Sequence, residues 1–324
     1  MPTLCAVFSL AAEHDFQLES MDVDAAYLNA PVEEELFVKL PPAFSPFLSR
    51  HTVYEFKQDI IRCFRMKDLG SLSRVLGIEV RRDRPNGTIT ISQGSYIREV
   101  LKGYGFDECR GSLWAVLSDI GAGVQESSRG RSGKSTEYGG MVGSLMYALT
   151  GNRPDIAYAV HQAARRMEDP CRKYFSTCKR IFRYLSTVPD LGIMFAGRSN
   201  GHCLEGIVDA NWAEDVYDRK STTGYIFKLD GGAISWCSRK QQLVTWSSTE
   251  TEYVAAGEGG KEMVYLRELL ESIGFGCKGS TTLFENNKSV INLSKGSGAH
   301  CRTKHIGLRW HGIRERIREG LLKI

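Results

Sequence analysis

Asp209 ends an apolar run, Gly206-Ile207-Val208, and Glu252 lies in Ser247-Ser248-Thr249-Glu250-Thr251-Glu252-Tyr253, the opening of a long helical pattern. Two further segments, Thr282-Leu283-Phe284-Glu285-Asn286-Asn287 and Arg302-Thr303-Lys304-His305-Ile306-Gly307, complete a set scattered over the last third of the chain. Carboxylates delivered by separate strands and helices to one point suit a hard divalent cation such as Mg²⁺, which takes oxygen ligands. Pairs of such ions run phosphoryl transfer and phosphodiester cleavage. The number of oxygens left in these segments decides whether that chemistry is available.

The elements that must position them are legible in the hydrophobic pattern. Leu204–Asp209, Thr223–Leu229 and Ala233–Ser238 have strand-like composition. Asp218-Arg219-Lys220-Ser221 and Asp230-Gly231-Gly232 separate them, as in an antiparallel meander. A helix is predicted from about Ser248 to Ile273, with Tyr253, Ala256, Met263, Leu266, Leu270 and Ile273 on its apolar stripe and Glu252 near the edge. Ser248 or Thr249 caps its start and Gly274 stops it. A fourth strand at Thr282–Glu285, a short helix at Ser289–Lys295 and a final helix at Ile306–Leu322 follow. On this strand assignment Glu285 and its neighbour Asn286 point to opposite faces, so Glu285 is not expected to replace an acid at position 286.

Upstream, Leu4–His14 reads as a helix, Ile89–Gln93 as a strand and Tyr96–Tyr104 as a helix. Gly121–Ser135, rich in Gly, Ser and charge, reads as a mobile surface loop. Met21-Asp22-Val23-Asp24-Ala25-Ala26-Tyr27-Leu28-Asn29 places an acid at a strand end before a small-residue turn. On the residues alone this is either a cation ligand or a surface strand with a solvated acid. Cys178–Leu185 is amphipathic with Lys179, Arg180 and Arg183 on its polar side, which suits either phosphates or solvent.

These words resemble the Pol polyprotein of copia-type LTR retrotransposons. Residues 18–44 resemble the first catalytic motif of its reverse transcriptase, and Phe56-Lys57 with Phe64–Val80 a later part of the same palm. Val208–Ala213, Arg219–Tyr225, Ile234–Trp236, Ser247–Ala255 and Arg302–Ile306 resemble five segments of its ribonuclease H domain, in the same order. The resemblance implies an α/β chain with three parts. An α+β reverse-transcriptase remnant spans 1–106, a helical thumb- or connection-like region 107–199, and a ribonuclease H-like domain with a mixed five-stranded sheet 200–324.

It also implies site residues. Asp22 matches a metal-binding aspartate of the polymerase. The segment carrying the Tyr-x-Asp-Asp hairpin is missing between the two palm blocks, and no Asp-Asp dipeptide occurs in the chain, so polymerase activity is not expected. Asp209 and Glu252 match two of the four ribonuclease H carboxylates that bind Mg²⁺ or Mn²⁺. The other two fall on Asn286 and Gly307, a neutral amide and no side chain at all. Ribonuclease H activity is therefore expected to be lost or weak. The implied partner is an RNA–DNA hybrid or other nucleic acid, held by Lys179, Arg180, Arg183, Arg302, Lys304, His305 and Arg309.

Composition sets the outer limits. With 324 residues, 42 Lys and Arg against 38 Asp and Glu, and a formal charge of +4, the chain permits a nucleic-acid partner without demanding one. Nine cysteines with no Cys-x-x-Cys pair exclude zinc ribbons and fit a reducing intracellular setting, cytoplasmic or nuclear. No apolar run approaches a membrane span and no basic flank marks a signal peptide, so no membrane association is expected.

Overall fold

A computed structural model describes residues 1–23, 57–58, 61–62, 66–115, 132–165, 167, 170, 172–197, 204–215, 217–295 and 307–324. Among them the chain begins with helix α1 (Pro2–Glu13) and strand β1 (Glu19–Val23). Strands β2 (Met66–Ser71), β3 (Arg74–Val75), β4 (Ile78–Asp83) and β5 (Thr88–Ser92) come next. Helices α2 (Gly94–Gly103), α3 (Ser132–Asn152), α4 (Ala157–Ala164) and α5 (Arg172–Thr187) follow, with a 3₁₀ turn at Pro154–Ile156 between α3 and α4. The last part holds β6 (Ile193–Ala196), β7 (Leu204–Asn211), β8 (Thr222–Leu229), β9 (Gly232–Lys240), α6 (Ser248–Ser272), β10 (Thr281–Phe284), α7 (Lys288–Ser294), α8 (Gly307–Arg318) and β11 (Leu322–Lys323).

The expected α/β class and mixed five-stranded sheet are present, in the order β11-β10-β7-β8-β9. β7, β8 and β9 form the antiparallel meander, with Asp209 opposite Gly224. β10 runs parallel to β7, and β11 parallel to β10. The β8–β9 turn is tight because Asp230 and Gly231 both take positive φ.

Three local readings are corrected. The surface loop predicted for Gly121–Ser135 ends earlier, because α3 already begins at Ser132; its residues 121–131 lie outside the described ones. The fourth strand stops at Phe284, so Glu285 lies beyond the regular alternation. The final helix stops at Arg318 rather than Leu322, since Gly320 takes φ +72° and frees Leu322 to pair with Thr281 as the fifth strand.

Two apolar clusters hold these layers. One lies among α2, α3, α4 and α5 and includes Leu145, Val160, Ile181 and Phe182. The other joins the five-stranded sheet and α6 to α1 and to the sheet β3-β4-β5-β6, through Phe8, Ile89, Phe195, Phe227 and Leu266. Ser9 in α1 donates to the carbonyl of Leu229 at the end of β8 (3.1 Å). Trp236 on β9 donates its indole N–H to the carbonyl of Leu149 in α3 (3.1 Å), tying the helical cluster to the sheet.

Candidate functional site

Asp209 reaches its place as a consequence of strand parity. Val208 is buried toward α6, so its neighbour Asp209 emerges on the opposite side of β7, near the strand's end. Gly259 lets α6 seat closely on β7, and Gly206 leaves room for the Phe227 ring inside the sheet's own core. A Cβ on Gly259 would lie 2.6 Å from a Val208 methyl carbon, and one on Gly206 would lie 2.5 Å from the Phe227 ring. α6 starts where Ser247, rather than the expected Ser248 or Thr249, caps it: the Ser247 hydroxyl accepts the Glu250 N–H (3.2 Å), and the Glu250 carboxylate accepts the Trp246 N–H (2.7 Å). That start and that close approach set Glu252 at the end of β7, where the Ala210 backbone N–H donates to its carboxylate.

Glu252 is buried, at 8% exposure, and its Oε2 has no hydrogen-bond partner. Burial, and then the charges of Glu285 and Asp209, push its pKa up to about 7; the Ala210 N–H works against them. Glu285 is also pushed upward, first by burial and then by Asp209, although its Oε1 accepts the Asn287 N–H (2.9 Å). Its Oε2 is buried without a partner. Strand alternation alone predicts that Glu285 points away from the site, and the structure corrects this. Lying past the end of β10, Glu285 reaches the same charge cluster as Asp209 and Glu252.

Asn286, where the family resemblance puts a carboxylate, is exposed and donates its side-chain amide to Asp209 Oδ1 at 3.4 Å. Gly307 opens α8. The structure therefore brings Asp209, Glu252, Glu285 and Asn286 together, three carboxylates and one amide.

Two orphaned buried carboxylate oxygens are the donor chemistry a hard cation takes. Among the described residues, however, no three His, Cys, Asp or Glu side chains are arranged to enclose a metal ion. The donor chemistry fits Mg²⁺ or Mn²⁺, and the arrangement does not.

On the sheet face opposite α6, a cleft of about 380 Å³ runs from Asp209 over Gly224 and Ile207 to Trp236. Its other wall is the 3₁₀ turn and the start of α4, with Asp155 and Tyr158. Asp155 is itself held by Arg153 (2.7 Å) and by the Tyr184 hydroxyl (2.9 Å), which connects α5 to this wall. Nothing in the spacing of the sequence marked this wall.

The remaining predicted residues are dispersed. Asp22 is exposed on the two-stranded ribbon β1–β2, a different sheet from Asp209. Lys179 and Arg183 are exposed on α5, and Arg180 beside them donates to the carbonyl of Trp114 (3.2 Å). Arg302, Lys304 and His305 lie outside the described residues. Arg309 belongs to α8, its side chain outside the description. Further along α8, Arg314 is turned onto the carbonyl of Leu293 (2.8 Å) and Arg316 onto Glu319 (2.8 Å).

No family model matches the chain. The retrovirus-related Pol polyprotein from transposon TNT 1-94 of Nicotiana tabacum is 32% identical over 400 aligned positions, covering the whole chain and 30% of that protein. The corresponding Pol polyprotein from transposon RE1 of Arabidopsis thaliana is 35% identical over 261 residues, 81% of the chain and 17% of that protein. The chain belongs to the copia-type retrotransposon Pol polyprotein family.

It spans less than a third of the length of these Pol relatives. The match to the tobacco Pol polyprotein runs over 400 positions against 324 residues here, so that relative carries sequence inside the matched region that this chain lacks. A shorter relative, the secreted RxLR effector protein 161 of Plasmopara viticola, is 44% identical over 133 residues, 41% of the chain and 93% of that protein. No helix among the described residues is long and apolar enough to cross a membrane.

Proposed function

We propose that this copia-type Pol segment is a nucleic-acid-binding protein whose last part has a ribonuclease H-like fold, with polymerase activity lost and hydrolysis of RNA–DNA hybrids lost or weak. The observation that carries this reading is the amide of Asn286 on Asp209. At the position where the family resemblance puts a metal-binding carboxylate, a neutral donor takes up an oxygen of the first carboxylate. An amide N–H aimed at that oxygen competes with a cation for the same lone pair. The strand order β11-β10-β7-β8-β9 and the convergence of Asp209 with Glu252 support the ribonuclease H-like reading. The absence of any Asp-Asp pair supports loss of the polymerase.

A second reading, a residually active Mg²⁺- or Mn²⁺-dependent ribonuclease H, is favoured by Glu285. The orphaned oxygens of Glu252 and Glu285 support it. Cleavage of a labelled RNA–DNA hybrid by the purified chain in Mg²⁺ or Mn²⁺ separates the two readings. Binding without cleavage is the expected result. Cleavage that Asp209→Asn abolishes would overturn the inactive reading.

A further inference from the structure

Helix α5 carries Arg172, Lys173, Lys179, Arg180 and Arg183 and no acidic residue. Arg172, Ser176, Lys179, Arg183 and Thr187 are exposed at three- and four-residue spacing, one polar stripe along the helix. Lys179 and Arg183 are one turn apart, about 6 Å along the axis. Among the described residues no ion pair engages Lys179, Arg180 or Arg183. The stripe therefore presents uncompensated positive charge.

The segment before α3 is strapped against this helix. The Ser112 N–H donates to the carbonyl of Arg183 (3.1 Å), and the Thr187 hydroxyl donates to the carbonyl of Ser112 (3.3 Å). Arg180 Nε donates to the carbonyl of Trp114 (3.2 Å), and so does the Ser112 hydroxyl (3.0 Å). Gly111 permits the approach, since a Cβ there would lie 2.2 Å from the Thr187 hydroxyl oxygen. The result is an indole whose backbone is fixed from two sides while the residue stays 72% exposed, beside Leu113 at 77%. A large apolar ring left in water is costly unless something covers it.

We propose that Trp114 and the Lys179–Arg180–Arg183 face of α5 form a binding surface for single-stranded nucleic acid, the indole stacking on a base and the cations taking the flanking phosphates. This rests on the nucleic-acid part of the reading above and is independent of whether the carboxylate site hydrolyses anything. A phosphate backbone alone would be met by the cations without an aromatic ring. An indole face finds a partner in an unstacked base, which a duplex does not offer. The combination of a positive track with a stacking platform is the general solution for single strands.

The test uses the full chain, in EDTA so that the carboxylate site takes no part. Labelled oligothymidylate, oligouridylate and a blunt duplex of equal length are titrated by fluorescence anisotropy. Wild type is expected to bind the single strands more tightly than the duplex, and Trp114→Ala to weaken single-strand binding about tenfold or more while duplex binding is unchanged. Trp114→Phe should stay within a few fold of wild type, a split that a structural role for Trp114 would not produce. Lys179→Glu with Arg183→Glu should weaken both ligands and flatten the dependence on salt. Single-strand binding unaffected by Trp114→Ala, or no preference over duplex, would overturn the proposal. Failure of hybrid cleavage leaves it standing.

Discussion

Glu252 and Glu285 are two buried-edge carboxylates that repel each other, one from the first turns of α6 and one just past the end of β10. Each has an oxygen with no hydrogen-bond donor, and burial rather than pairing dominates both. Burial more than repulsion thus raises both, and for Glu252 the effect is readable as a dependence on pH.

Because the folded-state pKa of Glu252 is raised to about 7, folding favours its protonated form. The stability this residue allows is fully present below its unfolded pKa, near 4.3, and is lost as pH rises through about 7. Glu252→Gln removes the loss. The variant should match wild type at pH 5 and exceed it at pH 8, by at most about 3 kcal/mol. Urea unfolding at the two pH values measures this, and an equal gain at both would refute the assignment.

Asn286→Asp adds a fourth anion to Asp209, Glu252 and Glu285 in place of the amide that now bonds Asp209. Without metal the variant should be less stable than wild type by about 1 kcal/mol, through like-charge repulsion. With Mn²⁺ the order should reverse, with at least about tenfold tighter binding, or about 1.4 kcal/mol. Calorimetric titration and thermal melts with and without Mn²⁺ test both signs. Added Gly307→Asp should increase the effect and raise any hybrid cleavage further.

The close seating of α6 on β7 predicts a coupled effect on stability and site. Gly259→Ala places a methyl 2.6 Å from the Val208 side chain in a filled core. Overpacking of this kind costs about 1–3 kcal/mol. Displacing α6 also moves Glu252 from Asp209, so the pH dependence described above should shrink along with stability. Gly257→Ala, on the same helix with open space around its Cβ, is the control and should be neutral or slightly stabilising.

Trp236→Phe deletes the indole hydrogen bond to Leu149 while keeping an aromatic ring. The expected cost is about 1 kcal/mol. Hydrogen exchange should show the loss at the α3–β9 contact, with α6 and β7 unaffected; uniform loss of protection would argue that the two clusters unfold as one.

The legible part of this molecule is the part written in periodicity. Alternation along β7, β8 and β9 and the long stripe of α6 put Asp209 near a strand end and Glu252 near a helix start, while their pairing in one set rests on the family resemblance. The pattern misled where regular structure ends. Glu285 was assigned away from the site because alternation was extended one residue past Phe284, and the fifth strand was absorbed into a helix that Gly320 terminates. Contacts between distant segments had no local signature at all. The Asp155–Tyr158 wall of the Asp209 cleft and the strap that holds Trp114 on α5 arise from tertiary approach, which residue spacing does not encode.

The hydrogen bond from Ser9 to Leu229 also has a consequence in time. α1 shares its apolar cluster with β8, β9 and the strand β6, all made long after it during synthesis. Its buried face, with Phe8 and Ala11, meets β5 early but is not closed over until those strands exist. A contact across that much chain is slow to close and leaves an apolar helix exposed meanwhile. A ribosome stalled before β9 should therefore yield a nascent segment whose α1 face is only partly covered and which proteases cut more readily than the finished chain.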